Sequence, residues 1–116
     1  MPGGKAPRAA GDYFERRTRD ALEADGWLVI RSGGSLGPAD LVALKAEHVP
    51  LLVSCKKGGY LPRGELFTLV DAAARAGAAP ILAKSHRPGW CLLVEVGKHQ
   101  KVTFRELHFP GRGAVG

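Results

Sequence analysis

"ADLVALKAEHVPLLVSCKK", residues 39–57, holds two apolar runs joined by a short polar connection. The runs, Ala39 to Lys45 and Pro50 to Lys57, have strand length and are rich in Leu and Val. The tight "AEHV" link between them predicts a hairpin. Near-continuous apolar strands suit a sheet covered on both faces. The stretch therefore sets the centre of an α/β domain. It also carries charge at its ends: Asp40 opens the first run, while Lys56 and Lys57 close the second.

The flanks extend this pattern. In "GDYFERRTRDALEADG", residues 11–26, Phe14, Thr18, Ala21 and Leu22 recur at helical spacing. Asp12 serves as an N-cap, with Glu15 three residues later completing a capping-box-like pair, and Gly26 stops the helix. The expected helix spans about Asp12 to Asp25. "WLVIR", Trp27 to Arg31, reads as a strand, and "RSGGSLGP" breaks it with glycines and a proline. Downstream, "GGYLPRG" is a loop and "ELFTLVDAAARAG" a second helix, with Leu66, Leu69, Val70 and Ala73 on one face and Gly77 as its cap. "APILAK" and "WCLLVEV" read as strands four and five, and "KVTFREL" as a sixth or an edge ribbon.

A helix between strands three and four implies a crossover within one mixed sheet. The expected fold is a single α/β domain with a central mixed β-sheet flanked by helices, in the order α-β-β-β-α-β-β. Residues 1–10 are expected to form a flexible arm, 11–108 the folded domain and 109–116 a frayed tail.

Composition narrows the partners. The chain has 116 residues, enough for one core but with little margin, which makes a homodimer plausible. Its net charge of +6 favours polyanions, nucleic acid ahead of an anionic membrane surface. No apolar run approaches the roughly 20 residues a membrane helix needs. "MPGGKAPRAAG" carries no apolar stretch after its basic residues, so it does not read as a signal peptide. The expected location is the cytoplasm of a bacterial or archaeal cell, or of a phage host. Cys55 and Cys91 read as reduced, buried thiols, and no paired Cys/His pattern points to structural zinc. His48, His86, His99 and His108 are scattered and read as surface residues.

Asp40 is the first candidate for chemistry. An acid at the mouth of an apolar strand is expensive to bury alone. It either caps the preceding "GPAD" loop or binds a hard cation such as magnesium. If the hairpin forms, Lys56 converges with it at one end of the sheet. A lysine there can position an attacking water or steady a phosphate in the transition state. Lys57 points to the opposite face and fits a solvated strand end. Glu15 is either half of the capping box or, with Arg16 and Arg31, part of a site that binds metal and grips phosphate. "SGGS" is either a plain turn or a phosphate-touching loop.

"ERRTRDALEADGWLVIRSGGSLGPADLVAL" followed by "LLVSCKK" resembles the archaeal-type Holliday junction resolvases of the PD-(D/E)xK nuclease superfamily. The likeness runs from about Gly11 to Val96, with "PILAK" and "GWCLLVEV" similar to the closing strands. The resemblance implies a homodimer that binds four-way or branched DNA. It also implies magnesium-dependent cutting of two strands, with manganese as a substitute ion. Position by position, Glu15 matches the family's helix acid, Arg16 its basic neighbour and Arg31 the arginine ending strand one. Ser35 matches the loop serine, Asp40 the metal-binding aspartate and Lys56 the catalytic lysine. Arg16, Arg31, Lys57 and Arg63 are expected to grip DNA phosphates.

One position departs from the pattern: the family's second strand acid falls on Ser54. A hydroxyl is a poor substitute for a carboxylate on magnesium. Three readings stand open. The acid has moved to Glu65, so that Asp40, Glu65 and Glu15 share the metal. Some phage branches with a neutral residue at this point look similar, and "LPRGEL" resembles their form. Alternatively, the serine was introduced to inactivate the enzyme, or this is a DNA-binding relative that has lost cleavage. A restriction- or repair-type endonuclease on the same core is a further alternative, since fold does not fix substrate.

Overall fold

The computed structural model describes the backbone of residues 5–111 and the side chains of residues 11–34 and 37–111. The elements are α1 (Lys5–Ala24), β1 (Leu28–Leu36), β2 (Ala39–Leu44), β3 (Leu51–Cys55), α2 (Arg63–Ala76), β4 (Ala79–Ser85), β5 (Trp90–Val96) and β6 (Lys101–His108). The six strands form one sheet in sequence order. All neighbours are antiparallel except β3 and β4, which run parallel. A parallel pair needs a crossover, and α2 supplies it. The hairpin expected of residues 39–57 is present, with Leu41 paired to Val53 and Ala43 to Leu51.

The pleat sends alternate side chains to opposite faces, and a helix covers each. Leu41, Ala43, Leu51, Val53, Ile81 and Leu93 pack beneath Phe14, Ala21 and Leu22 of α1. Leu52, Leu82, Val94 and Val96 pack against Leu69 and Ala73 of α2. Thr18 is fully buried on the α1 stripe because its hydroxyl donates to the Phe14 carbonyl at 2.9 Å. That local bond removes the desolvation cost of placing a hydroxyl in the core.

Three expectations need correction. Helix α1 begins at Lys5, so residues 5–10 are helical and not an arm, and Asp12 lies inside the helix rather than at its cap. Pro7 falls in the first turn, where a missing N–H breaks no helical bond. Glu15 therefore has no capping duty. The "SGGS" stretch does not end the first strand: β1 continues through it, with a register shift between Arg31 and Leu36. Gly33 and Gly34 take φ of 63° and 88°, values a β-branched residue would resist, and this absorbs the irregularity. The tail does not fray at its start. Phe109 is buried and meets Phe14 edge-to-face at 6.2 Å.

Candidate active site

The hairpin and the crossover bring chemistry to one end of the sheet. The β1–β2 turn at Gly37–Pro38 delivers Asp40 at the start of β2. The Cys55 N–H donates to Asp40 Oδ2 at 2.7 Å. This bond ties the carboxylate across to the end of β3. Lys56 follows directly, its N–H donating to the Ala83 carbonyl. Helix α2 starts just beyond, and its Glu65 Oε1 lies 3.1 Å from Lys56 Nζ. Gly37, Pro38, Asp40, Lys56, Gly64, Glu65 and Thr68 line one open cleft of about 510 Å³.

The electrostatics of the cleft centre on Asp40. Burial pushes its pKa up, the Cys55 N–H bond pulls it down, and the carboxylates of Glu15 and Glu65 push it up again. Lys56 offsets this only in part, and the net direction is upward. A half-buried carboxylate short of positive charge is a receptive place for a cation.

Ser54 has a definite position. Extending the β2–β3 pairing one step beyond Leu41–Val53 sets Ser54 opposite Asp40, on the face that α2 covers. Ser54 is fully buried and its Oγ has no hydrogen-bond partner among the described residues. An acid at this position would stand beside Asp40. Serine brings no charge to this position.

Not all expected residues meet. Glu15 does not line the cleft; Arg31 Nε donates to its Oε2 at 2.6 Å. Glu15 nonetheless lies close enough to raise the Asp40 pKa. Among the described residues no group of three or more His, Cys, Asp or Glu side chains forms a ready metal cluster. The expected trio of Asp40, Glu65 and Glu15 is thus not preassembled, because two of its members are engaged by basic partners. Arg16 is exposed on α1. Lys57 opens onto the α1 side with Tyr13 and Arg17, and Arg63 onto a separate groove with Lys98 and Lys101. Ser35 lies in β1, but its side chain is outside the described residues.

Four lining residues, Gly37, Pro38, Gly64 and Thr68, were not among the candidates read from the sequence. Thr68 follows Glu65 by one helical turn, a spacing that shares a face and would have found it. The first turn of α2 has no side-chain cap, since Pro62 stands at the N-cap position. Cys55 and Cys91 are free. Burial pushes both thiols up, Cys91 to about 11, and Cys55 is raised further by the neighbouring Asp40 and Glu15 charges.

Comparison with known proteins now adds a family. A family model described as archaeal Holliday junction resolvase (Hjc) matches residues 6–105. A protein of Methanocaldococcus jannaschii, Crossover junction endodeoxyribonuclease Hjc, is 35% identical over 77 residues, which are 63% of this chain. The match spans only 56% of that relative's length. The solved structure of Hjc from Archaeoglobus fulgidus, a Holliday junction resolvase, superposes with a TM-score of 0.66. It covers 81% of this chain and 87% of the other at 22% identity, a likeness of fold.

Proposed function

The chain belongs to the archaeal Holliday junction resolvase (Hjc) family, and on that premise we propose that it is a metal-dependent endonuclease that cuts four-way DNA junctions. The observation that carries this reading is the convergence of Asp40, Lys56 and Glu65 in one open cleft. Substrate and partners are four-way or branched DNA and a second copy of the chain, with magnesium as the ion and manganese as its substitute.

The donor set suits such an ion. Asp40 presents carboxylate oxygen at a point where two further acids push its pKa up. Glu65 supplies a second carboxylate from a different backbone position than the strand acid of the superfamily. Asp40 and Glu65 would hold the metal, and Glu15 would contribute its charge from behind. The bound ion would lower the pKa of a water and polarise the scissile phosphate.

The chain's own residues do the rest. The Cys55 N–H fixes the orientation of Asp40. Lys56 leaves Glu65 and donates to the phosphate oxygens as charge develops there. The first turn of α2, which has no side-chain cap, borders the same cleft through Gly64 and Glu65, and a helix terminus favours an anion. Arg16, Arg31, Lys57 and Arg63, all exposed, hold the DNA backbone at a distance from the cut.

A synthetic four-way junction and a linear duplex of the same sequence, each with magnesium, test this reading. Paired, symmetric cuts in the junction with the duplex left intact support it. Equal cutting of both would favour a restriction- or repair-type endonuclease, and magnesium-independent binding without cutting would favour a DNA-binding relative.

A further inference from the structure

A second, more enclosed pocket lies on the opposite side of the same strand end. Tyr13, Phe14, Arg17, Lys57, Ser85, Gly89 and Phe109 enclose about 160 Å³. Its walls are aromatic. Phe14 and Phe109 are 5% exposed, while Tyr13 is 50% exposed at the mouth. The Arg17 guanidinium lies 4.2 Å from the Phe109 ring centroid and 5.8 Å from that of Tyr13. Tyr13 and Arg17 are one turn apart on α1, so their side chains meet. The tail returns Phe109 to the α1 side through its N–H bond to the Gly89 carbonyl.

Two cations edge this pocket, and among the described residues neither Arg17 nor Lys57 has a carboxylate partner. Unpaired cations beside aromatic rings suit a ligand with both a π-face and a negative charge. A nucleotide has both. The pocket and the cleft flank the same strand end, one on each face of the sheet. Lys57 follows Lys56, and pleating sends the two side chains to opposite faces of one strand end. The Ser85 N–H, which donates to the Lys57 carbonyl at 3.0 Å, fixes that end.

Building on the nuclease reading, we propose that this pocket holds a single base of the DNA, unstacked from the duplex near the crossover. The base stacks on Tyr13 and the Arg17 plane, and Lys57 meets its phosphate. The volume accommodates one heterocycle and not a base pair. A four-way junction offers such a base, because stacking is interrupted where its arms meet.

The test is equilibrium binding without divalent metal. The probes are junctions carrying one abasic site, moved in turn through the nucleotides around the crossover. For the wild type, one position weakens binding about tenfold, in the range of a single base–aromatic stack. Tyr13→Ala weakens binding to the intact junction by a similar factor and loses sensitivity at that position. Tyr13→Phe behaves as the wild type. The proposal is overturned if the wild type responds equally to every abasic position, or if Tyr13→Ala keeps the wild-type pattern. A wild-type chain that binds no junction at all would overturn the nuclease reading as well. Uniform binding would sink the pocket alone.

Discussion

Glu65 Oε1 lies 3.1 Å from Lys56 Nζ across the mouth of the cleft, with both side chains partly exposed. Pairs of this kind are weak, typically well under about 1 kcal/mol. The contact is therefore easily exchanged. A divalent cation beside Asp40 would draw the Glu65 carboxylate toward itself and release Lys56 to the phosphate. In the proposed site the pair would hold both groups in the resting state, each neutralising the other.

If Lys56 acts on the phosphate only as charge develops, its loss should fall on turnover and not on binding. Lys56→Ala is expected to slow junction cleavage by about 10²–10³-fold. Affinity for the junction, measured without divalent metal, should change only a few-fold. A large loss of affinity with an unaltered single-turnover rate would place Lys56 among the DNA-gripping residues instead.

Ser54 carries a buried hydroxyl with no partner among the described residues. Such a group costs stability, so Ser54→Ala should leave the protein as stable or more stable, by up to about 1 kcal/mol. Cleavage should persist, because serine is not a ligand in this account. Chemical denaturation and a magnesium-dependent cleavage assay together check this. Loss of activity with intact folding would make the hydroxyl part of the chemistry.

The raised pKa of Asp40 has a definite sign for stability. A carboxyl whose folded pKa exceeds its unfolded value favours folding when protonated, and that contribution is lost as pH rises through the folded pKa. Without metal, Asp40→Asn should therefore melt higher than the wild type at neutral pH. The gap should close in acid, where Asp40 is neutral. Magnesium should raise the wild-type melting temperature and leave the variant unmoved, while cleavage by the variant falls at least about 100-fold. A variant that melts lower than the wild type at every pH would contradict the electrostatic account of Asp40.

Much of this architecture was legible in the residues. The spacing of Phe14, Thr18, Ala21 and Leu22 identified the buried stripe of α1, and all four are buried. The hairpin of residues 39–57 and the crossover helix followed from apolar runs and their connections, and Asp40 and Lys56 fell at one sheet end as strand alternation requires. Other features depended on tertiary context. Gly33 and Gly34 read as strand breakers, yet in the sheet their backbone freedom lets β1 continue past an irregular register. Asp12 and Glu15 made a plausible cap locally, but the helix starts earlier and Glu15 pairs with Arg31. Phe109 followed the last strand in an apparently loose tail. Only the fold reveals that it closes a gap beside Phe14.

The central claim is that Glu65 supplies the carboxylate that Ser54 cannot. The most direct measurement is magnesium-dependent cleavage of a four-way junction by Glu65→Ala beside the wild type. The account predicts that the wild type cuts, that Glu65→Ala binds the junction but loses cleavage by about 10²-fold or more, and that Glu65→Gln does not restore it. Cleavage by Glu65→Ala at the wild-type rate would contradict the account.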